Sequence, residues 1–186
     1  MASPTMSEMT NVHDKSIDAR ISTQVSDLVA DNGTGGSPTV DPLALEHQVC
    51  FSLVVAARSV LSVDRPLLEP MGLTHPQYLV MLALWKNSPL SVREIGTLLQ
   101  LDSPTLSPLL KRLALAGLVT RTRSNDDERR LIIELTQEGR ELRERATRIP
   151  PAVVARLGIE ISELELLHAA LTKVIKAALE VGGASP

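Results

Sequence analysis

Apolar residues recur at helical spacing along most of the chain after residue 41. The first such segment runs from about residue 42 to 68, and Asp41-Pro42 supplies an N-cap and a first-turn proline. A helix that carries two apolar stripes is covered on more than one side, by its own domain or by a partner subunit. The stripes are Leu45, Val49, Leu53, Ala56, Val60 and Leu67, and beside them Cys50, Val54, Ala57 and Leu61.

Two capping boxes predict where the next helices begin. Thr74 with Gln77 opens one helix and Ser91 with Glu94 opens another, because each pair can satisfy two backbone amides of a helix start. Gly96 in the second of these helices permits close approach of a neighbouring element. The residues expected to face inward are Tyr78, Met81, Leu82 and Trp85 in the first helix and Val92, Ile95 and Leu99 in the second.

A third short helix and a β-hairpin follow. Ser103 and Pro104 begin a helix that runs to about Ala116, and Gly117 ends it. The β-branched runs LVTRTRS and RRLIIELT flank the segment NDDE, which predicts a hairpin with a charged tip. The predicted fold class is therefore mainly α with a small β-hairpin wing, in a winged helix-turn-helix arrangement.

The two ends of the chain differ in character. Toward the C-terminus, Thr136 caps a helix that Pro150-Pro151 interrupts, and Ser162 with Glu165 caps the last helix. Residues 1–41 are polar and acidic and end in the linker-like segment DNGTGGSPTVDP. We interpret them as a flexible tail, with a short amphipathic helix over residues 17–29 as the alternative.

Composition limits the classes of function. The 186 residues are 44% hydrophobic and 2% aromatic, so Leu, Val, Ile and Ala build the core of one domain. The net charge of −3 means that nucleic-acid binding requires a local basic patch. The single cysteine excludes an internal disulfide and makes a thiolate zinc site improbable. Without a secretory signal or an apolar run of roughly 20 residues, we expect a cytoplasmic protein with no membrane contact.

The helix that begins at Ser103 has a face suited to the major groove of DNA. Hydroxyl groups reach base edges or phosphates, proline rings can contact thymine methyl groups, and cations neutralise phosphates. Pro108 removes a hydrogen bond from the helix interior at a cost of roughly 3 kcal/mol, which favours a functional surface over an ordinary surface helix, the alternative. Opposite the leucines 106, 109, 110 and 113 lie Pro104, Ser107, Pro108 and Lys111, with Thr105 and Arg112 at the flank.

The hairpin tip carries the second basic cluster. Arg121, Arg123, Arg129 and Arg130 surround the acidic residues Asp126, Asp127 and Glu128. An arginine at a wing tip suits the narrow, electronegative minor groove, and Asp127 is placed to orient the guanidinium of Arg129. A solvated, charged turn is the alternative interpretation.

Three segments resemble the MarR family of bacterial winged helix-turn-helix regulators, and within it most closely the organic hydroperoxide resistance (OhrR) branch. They are LTHPQYLVMLALW, LDSPTLSPLLKRLALAGLVTRTRSNDDERRLIIELT and the QEGREL that follows. The resemblance spans roughly residues 43–181, and the wing sequence DER followed by LT is quite specific. It leaves the tail, residues 1–41, without a role.

The resemblance implies a transcriptional repressor that binds double-stranded DNA at a near-palindromic operator. It implies an obligate homodimer built by dimerisation helices over about 42–68 and 137–181, with a DNA-binding lobe over about 74–136. It also implies a minor-groove contact by Arg129, held by Asp127. The expected DNA-binding residues are Ser103, Pro104, Thr105, Ser107, Pro108, Lys111, Arg112, Arg123 and Arg129.

Cys50 matches the reactive cysteine of the OhrR branch. The resemblance implies oxidation to a sulfenic acid and then a mixed disulfide with a small thiol or another protein, which releases DNA. The family assists this thiol with two tyrosines, but Val54 and Asp64 stand at those positions, and a carboxylate repels a thiolate. His47, one turn before Cys50, is the local compensator if protonated. Simple packing of the thiol is the alternative.

Three classes of function follow. They are a repressor switched by thiol oxidation, a repressor switched by a small ligand between the dimerisation and DNA-binding regions, and a thiol enzyme. The thiol-enzyme hypothesis is disfavoured because the sequence indicates neither a helix N-terminus nor an adjacent arginine to activate the thiol. An enzyme would also leave the basic wing unexplained. The four histidines share no metal-ligand spacing. We therefore expect no enzyme activity, no metal and no cofactor.

Overall fold

The computed structural model describes residues 48–123 and 130–182. The helices are α1 (Val49–Leu68), α2 (His75–Lys86), α3 (Val92–Leu99), α4 (Ser103–Leu115), α5 (Gln137–Ala146), α6 (Ile149–Leu157) and α7 (Ile161–Gly182), with a 3-10 turn at Glu69–Met71. The strands are β1 (Leu90–Ser91), β2 (Val119–Arg123) and β3 (Leu131–Leu135). The predicted fold class, mainly α with a small β wing, is confirmed.

The chain forms two units, Met1–Ala56 and Ala57–Pro186, and α1 begins in the first and ends in the second. The Asp41 cap predicted for α1 lies outside the described residues. No helix in the described ranges is both long and apolar enough to cross a bilayer. The buried core belongs to the second unit and runs from Leu68 to Ile149.

The strands form one antiparallel sheet in the order β1-β3-β2. β2 and β3 pair from Val119↔Leu135 to Arg123↔Leu131, which confirms the two strands of the predicted hairpin; its tip, residues 124–129, lies outside the described residues. β1 adds a third strand that the sequence analysis missed, through the pair Leu90↔Ile133. The sheet thereby ties the wing to the residues just before α3.

The predicted capping boxes are present. The side chain of Gln77 accepts hydrogen bonds from the amide and hydroxyl of Thr74, at 2.9 Å each. Glu94 accepts the Ser91 amide at 2.7 Å, and Ser91 accepts the Glu94 amide at 3.2 Å. Thr136 accepts the Gly139 amide at 3.0 Å, as predicted for the start of α5. These local hydrogen bonds set the boundaries of the three helices.

One expectation about a helix break is shifted along the chain, and two about a helix end and a helix face were wrong. The break predicted at Pro150-Pro151 lies at Thr147 and Arg148, and the two prolines occupy the first turn of α6, where a proline needs no intrahelical donor. α7 begins at Ile161, where Glu163 accepts the Glu160 amide at 3.1 Å, so Ser162 is not its cap. Leu82, expected to face inward, is 41% exposed.

Candidate DNA-binding surface and thiol site

α4 is anchored by leucines and exposes its polar face. Leu106, Leu110 and Leu113 are buried against the core, and Leu109 is half-buried. Gly117 follows the helix with φ +73°, a conformation that glycine adopts without strain. All the residues predicted for DNA contact on this helix are exposed, namely Ser103, Pro104, Thr105, Ser107, Pro108, Lys111 and Arg112.

The turn between α3 and α4 places α4 close to its neighbour. A Cβ at Gly96 would lie 2.8 Å from the carbonyl oxygen of Leu101, so the glycine expected to permit close approach does so at the start of this turn. Gln100 adopts φ +53°, and the Leu101 amide donates to the Gly96 carbonyl at 2.9 Å. A left-handed glutamine is uncommon, and no local sequence signal marked it.

Pro108 is accommodated within α4. It has no amide hydrogen, so the carbonyl group one turn earlier loses its helical donor. The preceding residue, Ser107, turns its hydroxyl back to the Ser103 carbonyl at 2.8 Å. The hydroxyl hydrogen of Ser107 is thus engaged within the helix, which leaves its oxygen free to accept a hydrogen bond from outside.

The base of the wing contributes further positive charge. Arg121 and Arg123 on β2 are exposed, and so is Arg130 just before β3. The pKa of Glu94, on α3, is lowered mainly by hydrogen bonds from Ser91. The positive charge of Arg130 adds a smaller contribution in the same direction. The described basic side chains thus extend from α4 to the wing.

The two residues assigned to the wing tip, Arg129 and Asp127, lie outside the described residues. Their roles stay predictions, as does the orienting contact between them.

Cys50 lies in the first turn of α1, so the expectation that this thiol lacks a helix N-terminus was wrong. The thiol is exposed, as is Val54 one turn later. Exposure of the thiol does not support packing in the core of its own chain. It also means that an oxidant in solution reaches the sulfur of the single chain. His47, the proposed compensator, lies outside the described residues. Val54 has no hydrogen-bond donor, so it offers the thiol only an apolar neighbour.

Asp64, the second position where the family carries tyrosine, has a partner that the sequence analysis did not foresee. It is 7% exposed, and its Oδ2 lies 2.9 Å from Nδ1 of His75, the first residue of α2. His75 Nδ1 is buried and makes no aligned hydrogen bond, so the contact is an ion pair when the imidazole is protonated. Burial, and then the charge of Asp64, raises the pKa of Tyr78.

A cavity of about 490 Å³ adjoins this ion pair. Its walls combine leucine side chains with cationic and anionic groups, so it could hold a small molecule with both apolar and polar parts. The lining residues are Leu61, Arg65, Glu69, Gly72, Leu73, Thr74 and His75.

Comparison with known sequences gives a consistent result. Residues 63–146 match the family model described as transcriptional regulator SarA/Rot. The chain is 40% identical over 136 residues to the organic hydroperoxide resistance transcriptional regulator of Bacillus subtilis (strain 168). That match covers 73% of this chain and 92% of the relative.

Solved structures are similar as well. Reduced AbfR bound to DNA matches with a TM-score of 0.61 at 34% identity, covering 73% of this chain and 94% of that one. A disulfide-formed AbfR matches with a TM-score of 0.51 at 37% identity, covering 70% and 92%. A MarR-family regulator from Rhodococcus sp. RHA1 matches with a TM-score of 0.64 at 26% identity, covering 71% and 95%.

Proposed function

Because this chain belongs to the MarR family of winged-helix transcriptional regulators, we propose that it is a repressor whose operator is released when Cys50 is oxidised by an organic hydroperoxide. Its general role, that of a DNA-binding transcriptional regulator, follows from the family. The finer proposal rests on one observation above all. The only cysteine of the chain is exposed at the position that matches the reactive thiol of the OhrR branch.

The DNA contact is assigned to α4 and the wing. The exposed face of α4 presents hydroxyls and proline rings first and cations afterwards, the order in which a recognition helix meets base edges and then phosphates. Arg121, Arg123 and Arg130 continue the positive charge onto the wing. The similar AbfR structure contains DNA, which supports the same use of this lobe here.

A homodimer accounts for the exposed apolar side chains of α7. A soluble chain rarely leaves so many large apolar groups in water on one helix. A second copy that covers them would give a two-fold symmetric regulator, which binds half-sites about 10 bp apart or a multiple of that. The exposed residues are Ile161, Leu166, Leu167, Val174, Ile175, Leu179 and Val181.

The proposed switch begins with a two-electron oxidation. The Cys50 thiolate attacks the terminal oxygen of the hydroperoxide, the O–O bond breaks, and the products are a sulfenic acid and, after protonation, an alcohol. A small thiol then displaces water from the sulfenic acid to form a mixed disulfide. An added group on Cys50 changes the surface of α1, and we propose that this change is what lowers affinity for DNA.

The decisive experiment is a gel shift on the DNA upstream of the protein's own gene, with and without an organic hydroperoxide. Wild-type protein is expected to bind when reduced and to dissociate on oxidation, whereas Cys50→Ser binds and ignores the oxidant. Mass spectrometry of the treated protein should find Cys50 modified. Unmodified Cys50 after ample oxidant, with DNA still bound, would contradict the redox switch.

The cavity beside His75 favours a second candidate, a repressor released by a small ligand. Its volume of about 490 Å³ and its mixed lining suit a small organic molecule. The two candidates separate in Cys50→Ser, because a ligand-released repressor keeps its induction in that variant. Substitution of Leu61, which lines the cavity and is 41% exposed, by Trp should then abolish induction and leave DNA binding intact.

A further inference from the structure

The recognition helix begins at an acidic residue. Asp102 is the only acid between residues 102 and 116, a stretch that also holds Lys111 and Arg112. Its Oδ1 accepts the Thr105 amide at 2.9 Å and so forms the N-cap of α4. The side chain is exposed. The structure therefore fixes a carboxylate at the end of the helix that is expected to enter the groove first.

This carboxylate is charged at neutral pH. Hydrogen bonds from the side chain and the amide of Thr105 lower the pKa of Asp102 below its ordinary value. Capping does not require the charge, since asparagine and serine cap helices about as well as aspartate. A neutral residue would therefore preserve the hydrogen bond that starts α4. The charge adds a favourable interaction with the helix dipole, and it also acts on whatever the helix end meets.

The charge of Asp102 would also act on the DNA that α4 contacts. The N-terminal residues of a recognition helix reach the base edges of the major groove, which is bordered by phosphates on both sides. A fixed negative charge there repels the phosphates of any DNA, whatever its sequence. At a suitable base pair the same carboxylate can accept a hydrogen bond from an amino group of cytosine. The charge thus penalises every site but is partly compensated only at the correct one.

We propose that Asp102 is a specificity-determining residue, whose negative charge weakens binding to non-operator DNA more than binding to the operator. This inference rests on the proposed use of α4 in the major groove. It adds to that proposal a residue that the sequence analysis assigned to no DNA contact.

The test compares two duplexes of equal length. One is the operator, obtained by selecting wild-type binders from a pool of random duplexes, and the other is a scrambled version of it. Fluorescence anisotropy at fixed salt gives the Kd of the full chain for each. Asp102→Asn keeps the capping acceptor and removes the charge. We expect it to bind scrambled DNA about three- to tenfold more tightly, with a smaller change for the operator.

The matched control is Glu163→Gln. Glu163 is another exposed acid that accepts a backbone amide at a helix start, but it belongs to α7. Glu163→Gln removes the same amount of charge from the chain, and we expect its ratio of operator affinity to scrambled affinity to equal that of wild type. Asp102→Ser, a second neutral cap, should reproduce the effect of Asp102→Asn, and thermal unfolding checks that each variant is folded.

The ratio of operator affinity to scrambled affinity decides the outcome, and we expect it to fall in Asp102→Asn. An unchanged or increased ratio in Asp102→Asn, or an equal fall in Glu163→Gln, would overturn the specificity role while leaving the DNA-binding proposal in place. If wild-type protein enriched no duplex from the pool, the proposed function itself would fail, and this inference with it.

Discussion

Residues 68–149 bury an apolar core of their own, whereas α7 leaves most of its apolar residues exposed. Every residue of the buried core falls between Leu68 and Ile149. None of the described residues of α7 is buried, although Leu167, Leu171 and Ile175 recur at helical spacing. The difference teaches that hydrophobic periodicity predicts an apolar face but does not tell which molecule covers it. In residues 68–149 the apolar face is covered by the same chain, and for α7 we propose that a second copy covers it.

The largest expected effect comes from truncating one leucine in each of the two regions. Leu110 in α4 is 1% exposed and Leu166 in α7 is 73% exposed. Leu110→Ala should lower the free energy of unfolding by about 2–5 kcal/mol, because it removes buried contacts and leaves a cavity. Leu166→Ala should cost less than about 1 kcal/mol at low protein concentration. Urea unfolding followed by circular dichroism measures both, and equal losses would contradict the distinction.

The second prediction tests whether a second copy of the chain packs against the apolar face of α7. Leu167→Asp combined with Ile175→Asp places two charges on its exposed apolar face and should shift the protein from dimer to monomer in analytical ultracentrifugation. Operator affinity should fall at least about tenfold, because two linked half-site contacts become independent. Glu180→Gln, also exposed on α7, is the matched control and should remain dimeric. A double variant that stayed dimeric would place the interface elsewhere.

The third prediction separates the charges of the two regions. Lys111 on α4 and Lys176 on α7 are both exposed. Lys111→Gln should reduce the slope of log affinity against log salt concentration by about one unit, the value for one lost phosphate contact. Lys176→Gln should leave the slope unchanged. Identical slopes in the two variants would show that α4 contributes no phosphate contact through this lysine.

The smallest expected effect concerns pH. Hydrogen bonds from Ser91 lower the pKa of Glu94 below its ordinary value of about 4.5. A carboxylate with a lowered pKa stabilises the fold above that ordinary value, and this contribution is lost as the pH falls through the folded-state pKa. Glu94→Gln keeps the capping box and removes the titration. Its unfolding free energy should therefore decline less than that of wild type between neutral and acid pH; an equal decline would exclude Glu94 as a source of acid sensitivity.

Three caps of this fold could be predicted from sequence, since each involves residues three apart, whereas the cap predicted at Ser162 was wrong and Asp102 was not foreseen as the cap of α4. Thr74 with Gln77, and Ser91 with Glu94, are examples. The strand Leu90–Ser91 could not, because two residues become a strand only through pairing with Ile132 and Ile133, far along the chain. The same limit explains the missed contact between Asp64 and His75, which joins two helices across a turn.

For the candidate site, the exposed face of α4 followed directly from the positions of its leucines. The wing-tip residues Arg129 and Asp127 remain predictions. The environment of Cys50 could be predicted only by resemblance, because periodicity places a cysteine on a helix face without saying what reaches it.

The packing of Trp85 gives the protein a built-in optical probe. Its indole Nε1 donates to the Gly139 carbonyl at 2.8 Å, and its ring meets Tyr78 edge to face with centroids 6.2 Å apart. A Cβ at Gly139 would collide with the carbonyl oxygen of Leu118, so this glycine also brings α5 close to the segment that leads into the wing. Because the chain has one tryptophan, its fluorescence arises at the α2–α5 junction alone. An emission change on adding DNA, oxidant or ligand would then report movement between these two helices without any attached dye.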